Sequence, residues 1–185
     1  MTRLVSSFII GLTFLAILAS CSSEGSEVKT YLQTLDAIDT RFKELGELAR
    51  SRLDDSKKNG QGARNHVEIL DETLVEYDLL AEQFPSLEVP ASCQELHRAR
   101  VERAEVTRKA LQLGRDFAGG PLSSGGRPTN IDPNRLTKVF TDGAALRAEA
   151  ESSHQVVRDQ RAKLVKKYHI SEVSPDPVDF TVLGF

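Results

Sequence analysis

Residues 27–56 read EVKTYLQTLDAIDTRFKELGELARSRLDDS, and this stretch decides the fold. Val28, Tyr31, Leu32, Leu35, Ile38, Phe42, Leu45, Ala49 and Leu53 recur at steps of three and four. That spacing puts them along one stripe of a helix and leaves charged and hydroxyl side chains on the remaining surface. Lys57-Lys58-Asn59-Gly60 then supplies a stop, with cations at the negative end of the helix dipole and a glycine free to take the left-handed cap.

The same period continues downstream. A second helix is expected over 63–84, with Val67, Leu70, Leu74, Tyr77 and Ala81 inward and Pro85 as its terminator. A third begins near Pro90 and carries Leu96, Ala99, Val106, Leu111 and Phe117. Ser92 and Glu95 have capping-box spacing at its start, so the cap is either Ser92 or the residue before Pro90. Gly119 to Asn130 is rich in Gly, Pro and Ser and reads as a loop. Asp132 caps a fourth helix with Pro133 at its first position, and Leu136, Val139, Phe140, Leu146, Ala150, Val157, Leu164 and Tyr168 trace it to about His169. Gly46, Gly114 and Gly143 lie inside helices and mark close crossings or kinks. Pro175 and Pro177 forbid continuation. The expected fold is all-α: an antiparallel four-helix up-down bundle over 27–169 with an extended C-terminal tail at 170–185. An even number of helices returns the chain to the end where it entered.

Candidate chemistry is sparse. Cys93 and His97 stand four apart at the start of the third helix and share a face, which gives half a metal site or a thiol activated by the helix N-terminus. A zinc site needs three or four ligands, so the plainer reading is a small core residue beside a surface histidine. Glu68, Asp71, Glu72, Glu76, Asp78, Glu82 and Glu88 make the second helix acidic, but the Glu-x-x-His pairs of di-metal bundles are missing. Arg98, Arg100, Arg103, Arg108, Lys109 and Arg115 on the third helix, and Arg158, Arg161, Lys163, Lys166 and Lys167 on the fourth, form either an anion or headgroup patch or salt partners for the second. No motif for nucleotide binding, acyl transfer or zinc proteolysis occurs, so no catalytic residue is expected.

The N-terminus is more specific. Arg3 precedes an uncharged run from Leu4 to Ala19, which is followed by Leu18-Ala19-Ser20-Cys21 at its end. These four residues match the lipobox position by position, and the segment resembles bacterial prolipoprotein signals. The resemblance implies cleavage between Ser20 and Cys21, a diacylglycerol thioether on Cys21, and fatty acylation, palmitate for example, of the new amino group. It makes residues 1–20 a signal peptide and 21–26 a flexible tether. In a diderm host, Ser22 after the lipidated cysteine resembles outer-membrane-sorted lipoproteins; otherwise the anchor lies in the outer face of the plasma membrane. Several acyl chains hold a protein stably where one does not.

Removing the signal takes away Arg3 and leaves 23 bases against 27 acids, a net charge of −4. This balance argues against nucleic-acid binding. Trp is absent and aromatics make up 6% of the chain, which disfavours stacking platforms for bases or sugars. With Cys21 lipidated, Cys93 has no cysteine partner, and Met1 is the sole methionine, so neither an internal disulfide nor a His/Met haem is expected, and no cofactor is. The sequence thus points to a non-enzymatic envelope lipoprotein whose bundle binds an envelope protein or scaffolds an assembly. The alternative is a small-ligand or metal-binding bundle.

Overall fold

The computed structural model describes residues 2–120 and 133–176, with side-chain surroundings given from residue 23 onward except at Ala63 and Arg135. Most of the expected 119–130 loop, the Asp132 cap and the tail from 177 lie outside the described residues. Four helices make up the described chain: α1 (Thr2–Lys58), α2 (Ala63–Ala81), α3 (Gln94–Ala118) and α4 (Pro133–Lys167). Short 3₁₀ turns at Phe84–Ser86 and Ala91–Cys93 bridge α2 to α3, and no strand occurs among the described residues. The all-α bundle is as the sequence predicts.

Long-range pairs fix the antiparallel order. Arg52 meets Glu72 and Arg41 meets Gln83 across α1 and α2. Asp71 meets Arg115 and Asp78 meets Arg108 across α2 and α3. Arg103 meets His154 across α3 and α4. The ring closes where Glu24 accepts from the Tyr168 hydroxyl at 2.7 Å, which brings α1 beside the end of α4. Residues 23–26, expected as part of a flexible tether, continue α1, with Glu24 and Gly25 half-buried and a Cβ at Gly25 only 3.7 Å from the Tyr168 ring, while Ser23 and Ser26 are exposed.

Val28, Leu32, Leu35, Phe42, Tyr77, Phe84, Cys93, Leu96, Leu111 and Val157 are among the most deeply buried residues of one continuous core. Phe42 stands between Tyr77 and Phe84, at ring-centroid distances of 4.8 and 6.0 Å. The Tyr77 hydroxyl donates to the Ala104 carbonyl at 2.9 Å, which satisfies the phenol that burial brings inside.

The caps show which local signals prevailed. Gly60 takes φ +65°, with Gly60 N–H bonded to Lys57 O and Gln61 N–H to Ser56 O, the paired bonds of a Schellman stop. His169 does the same for α4 at φ 52°, with Ile170 N–H reaching Val165 O and the Ile170 side chain buried. Ser92 is not the cap expected for α3. Cys93 holds that position with no side-chain capping bond, because the 3₁₀ turn after Pro90 delays the helix to Gln94. α2 likewise ends at Ala81, and Phe84 enters the core from the turn that follows.

α4 departs from its expected apolar stripe. Val157 and Leu164 are buried, but Phe140 is 71% exposed and no described side chain before Val157 is buried. Among the described residues α3 is the main close backbone neighbour of α4, and the first half of α4 stays largely exposed. Gly46 and Gly114 are buried, whereas Gly143 is half-buried, and a Cβ there would meet Leu113 Cδ2 at an ordinary 3.8 Å. Gly143→Ala should therefore stabilise the bundle by about 0.5–1 kcal/mol through helix propensity, read as a raised urea midpoint at unchanged slope; a lowered midpoint would mean that this crossing is tighter than described.

Candidate functional site

The densest polar chemistry lies inside the bundle. Asp39 follows Leu35 by four residues and precedes Phe42 by three, so it faces the core with them and is 1% exposed. Arg100 follows Leu96 by four on α3 and is equally buried, and the two side chains form an ion pair. One turn toward the chain ends, Asp36 accepts from Arg161 Nη2 at 2.5 Å, while Arg161 Nε donates to the Ser174 carbonyl at 2.7 Å. On the other side, buried Arg103 donates to His154 Nδ1 at 2.6 Å. Arginine only donates, so His154 presents a lone pair at Nδ1 and carries its ring proton on Nε2.

The cluster thus holds three guanidiniums, two carboxylates and an imidazole. Burial, together with the neighbouring Arg103 and Arg161 charges, pulls Arg100 down to about 9, and its guanidinium also lies 5.8 Å from the Phe84 ring centroid. Buried Asp39 pairs with Arg100, and half-buried Asp36 with Arg161. Among the described residues no group of three or more His, Cys, Asp or Glu side chains is placed to hold a metal.

The sequence-predicted pair fares differently. Cys93 is fully buried, and burial pushes its thiol up to about 11 despite its place at the start of α3. His97 is half-buried, and its Nδ1 shares a hydrogen bond of 3.0 Å with the Tyr31 hydroxyl. Burial lowers the His97 pKa and raises that of Tyr31, which in each case favours the neutral form. This local arrangement cross-links α1 to α3.

The acidic face of α2 divides in two. Asp71 and Asp78 turn toward α3, where Arg115 and Arg108 bond them at 2.8 and 2.7 Å. Glu76 and Glu82 are exposed on the outer side. The salt-partner reading of the basic third helix therefore holds for Arg108 and Arg115 and fails for Arg100 and Arg103, which are core residues. On α4, Arg161 is buried, while Arg158 and Lys163 are exposed. A shallow groove of about 450 Å³ lies between Ser26, Glu27, Thr30, Tyr31 and Thr34 of α1 and the extended segment 87–90, at the end where Glu24 meets Tyr168.

Cys21 and Ser20 lie where side-chain surroundings are not described. Among the described residues no helix is long and apolar enough to cross a membrane. Comparison with protein families, curated proteins and solved structures gives no significant match.

Two outcomes test this geometry. Asp39→Asn should cost about 3–5 kcal/mol by stranding a buried guanidinium, whereas Asp39→Leu with Arg100→Met should recover most of it; a loss under 1 kcal/mol in urea unfolding would remove Asp39 from the core. Cys93 should alkylate far more slowly in the folded chain than in denaturant, and equal rates would refute its burial.

Proposed function

We propose that the chain is a lipid-anchored envelope protein, held through Cys21, whose bundle acts by binding another protein and carries out no catalysis. The anchoring half rests on Leu18-Ala19-Ser20-Cys21. The Glu24–Tyr168 bond adds support, because it gathers α1 just after Cys21 and the end of α4 at one end of the bundle. With that end toward the membrane, the Gly60 turn and the end of α3 face away from it.

One observation carries the binding half. The polar groups that could serve a small ligand are bonded to one another inside the bundle, while Leu48, Val75, Leu79 and Phe140 each stay more than half exposed outside it. Apolar surface left uncovered by the fold is where a protein partner gains most from contact. The metal-binding alternative would need carboxylates in the core that are open to a cation, and Asp36 and Asp39 are engaged by Arg161 and Arg100.

Cys21→Ala should abolish labelling by radioactive palmitate and leave the signal uncleaved, while the native chain stays with membranes in high salt and leaves only in detergent. Labelling of the variant, or release of the native chain by salt alone, would end the lipid-anchor reading.

A further inference from the structure

The seam between α1 and α2 gathers features that the fold itself does not use. The Arg41–Gln83 and Arg52–Glu72 ties set the register of the two helices. By that register Leu48 stands level with Val75 and Glu76, and Leu45 stands level with Leu79. Leu48, Val75 and Leu79 are 57%, 61% and 54% exposed, while Leu45 is half-buried and packs on the core beneath. Val75 and Leu79 are four apart, so they form a ridge along α2 with Leu48 across the seam. Single exposed leucines are ordinary; three on two adjoining turns make a patch.

Its rim is acidic. Glu44, Glu76 and Glu82 are exposed, and no ion pair engages them among the described residues. Of the nearby cations, Lys43 pairs with Glu47 and Arg52 with Glu72, while Arg41 bonds the neutral Gln83, so acids outnumber bases along the seam. The inward acids of α2 are neutralised by α3, so the negative charge that remains on α2 lies beside the apolar ridge.

We propose that this seam docks an amphipathic helix of another protein, with apolar residues at three- and four-residue spacing flanked by Lys or Arg. The groove between two antiparallel helices accepts the ridge of a third, as in helix-in-groove recognition. Charge selects the occupant. A second copy meeting the same face by two-fold symmetry would set carboxylates against carboxylates, and anionic lipid headgroups would be repelled by them. This inference rests on the protein-binding reading and names the partner's chemistry.

The test uses the full chain in phosphatidylcholine vesicles and a fluorescein-labelled helical peptide of about 18 residues, with leucines on one face and lysines on both flanks. Fluorescence anisotropy should show saturable binding that weakens as salt rises. Val75→Ser with Leu79→Ser should weaken binding about tenfold or more. Glu44→Gln, Glu76→Gln and Glu82→Gln together should weaken it and flatten the salt dependence. All five side chains are exposed, and an unchanged far-UV circular dichroism spectrum checks each variant. A peptide with glutamate in place of lysine should not bind. Equal binding of both peptides, or affinity unmoved by either set of substitutions, would overturn the proposal. So would cross-linking of two chains through Leu79→Cys, which would assign the seam to a second copy. Palmitate labelling at Cys21 reads anchoring separately, so failure of one claim is distinguishable from failure of the other.

Discussion

Asp39 and Arg100 meet in a part of the bundle where close backbone packing does not join their helices. α1 lies closely on α2, α2 on α3 and α3 on α4, but α1 reaches α3 and α4 through side chains: Asp39 to Arg100, Asp36 to Arg161, Tyr31 to His97. Guanidinium arms are long enough to span that gap, and the apolar stripe of α1 alone would tolerate sliding or rotation by a turn. The charges do not. Stripping a buried carboxylate of its partner costs about 3–5 kcal/mol, a large part of the stability of an ordinary domain. The ionic layer therefore sets the axial position and rotation of α1, and the aromatic stack of Phe42, Tyr77 and Phe84 fills the space around it. The tie of the α1 start to Tyr168 and the groove by Tyr31 follow from that placement.

Much of this frame was legible from residues. The 27–56 stripe, the Gly60 stop, Pro133 at the start of α4 and the four-helix count all follow from period and punctuation, because burial of an amphipathic face is what holds such helices. The ionic layer was not legible, because arginine and aspartate are read as surface residues by default. A signal was nevertheless present: Asp39 is in phase with Leu35 and Phe42, Arg100 with Leu96, and Arg161 with Val157 and Leu164. Charges at core phase on three separate helices are complementary, and only the fold shows that they meet. Phe140 fails in the opposite direction, since its phase is apolar but it stays 71% exposed, α3 being the main close neighbour of α4 among the described residues. For Cys93, the plainer reading as a small core residue agrees with its full burial, which outweighs the helix dipole.

The acids of α2 show how one helix serves two purposes. Those facing α3 are matched by arginine and contribute to closure of the bundle. Those facing away from α3 are left beside Val75 and Leu79. A merely solvated acidic face would have no reason to carry large apolar side chains among its carboxylates. The division between inward and outward acids places the proposed docking surface on the α1–α2 side, away from the α3–α4 interface.

The bond from Arg161 Nε to the Ser174 carbonyl has a consequence for how the chain matures. Ser174 lies thirteen residues beyond Arg161, in a segment that buries Ile170 and Val173 and pairs Lys29 with Glu172. During synthesis Asp36 is made early and its guanidinium partner late, and that guanidinium is fully engaged only when the last described turn of the chain has arrived. Without this segment the Arg161 Nε would lose its Ser174 acceptor and the core would lose Ile170 and Val173. The segment after α4 is therefore part of the bundle's closure, since it supplies both the acceptor for Arg161 and two apolar side chains of the core.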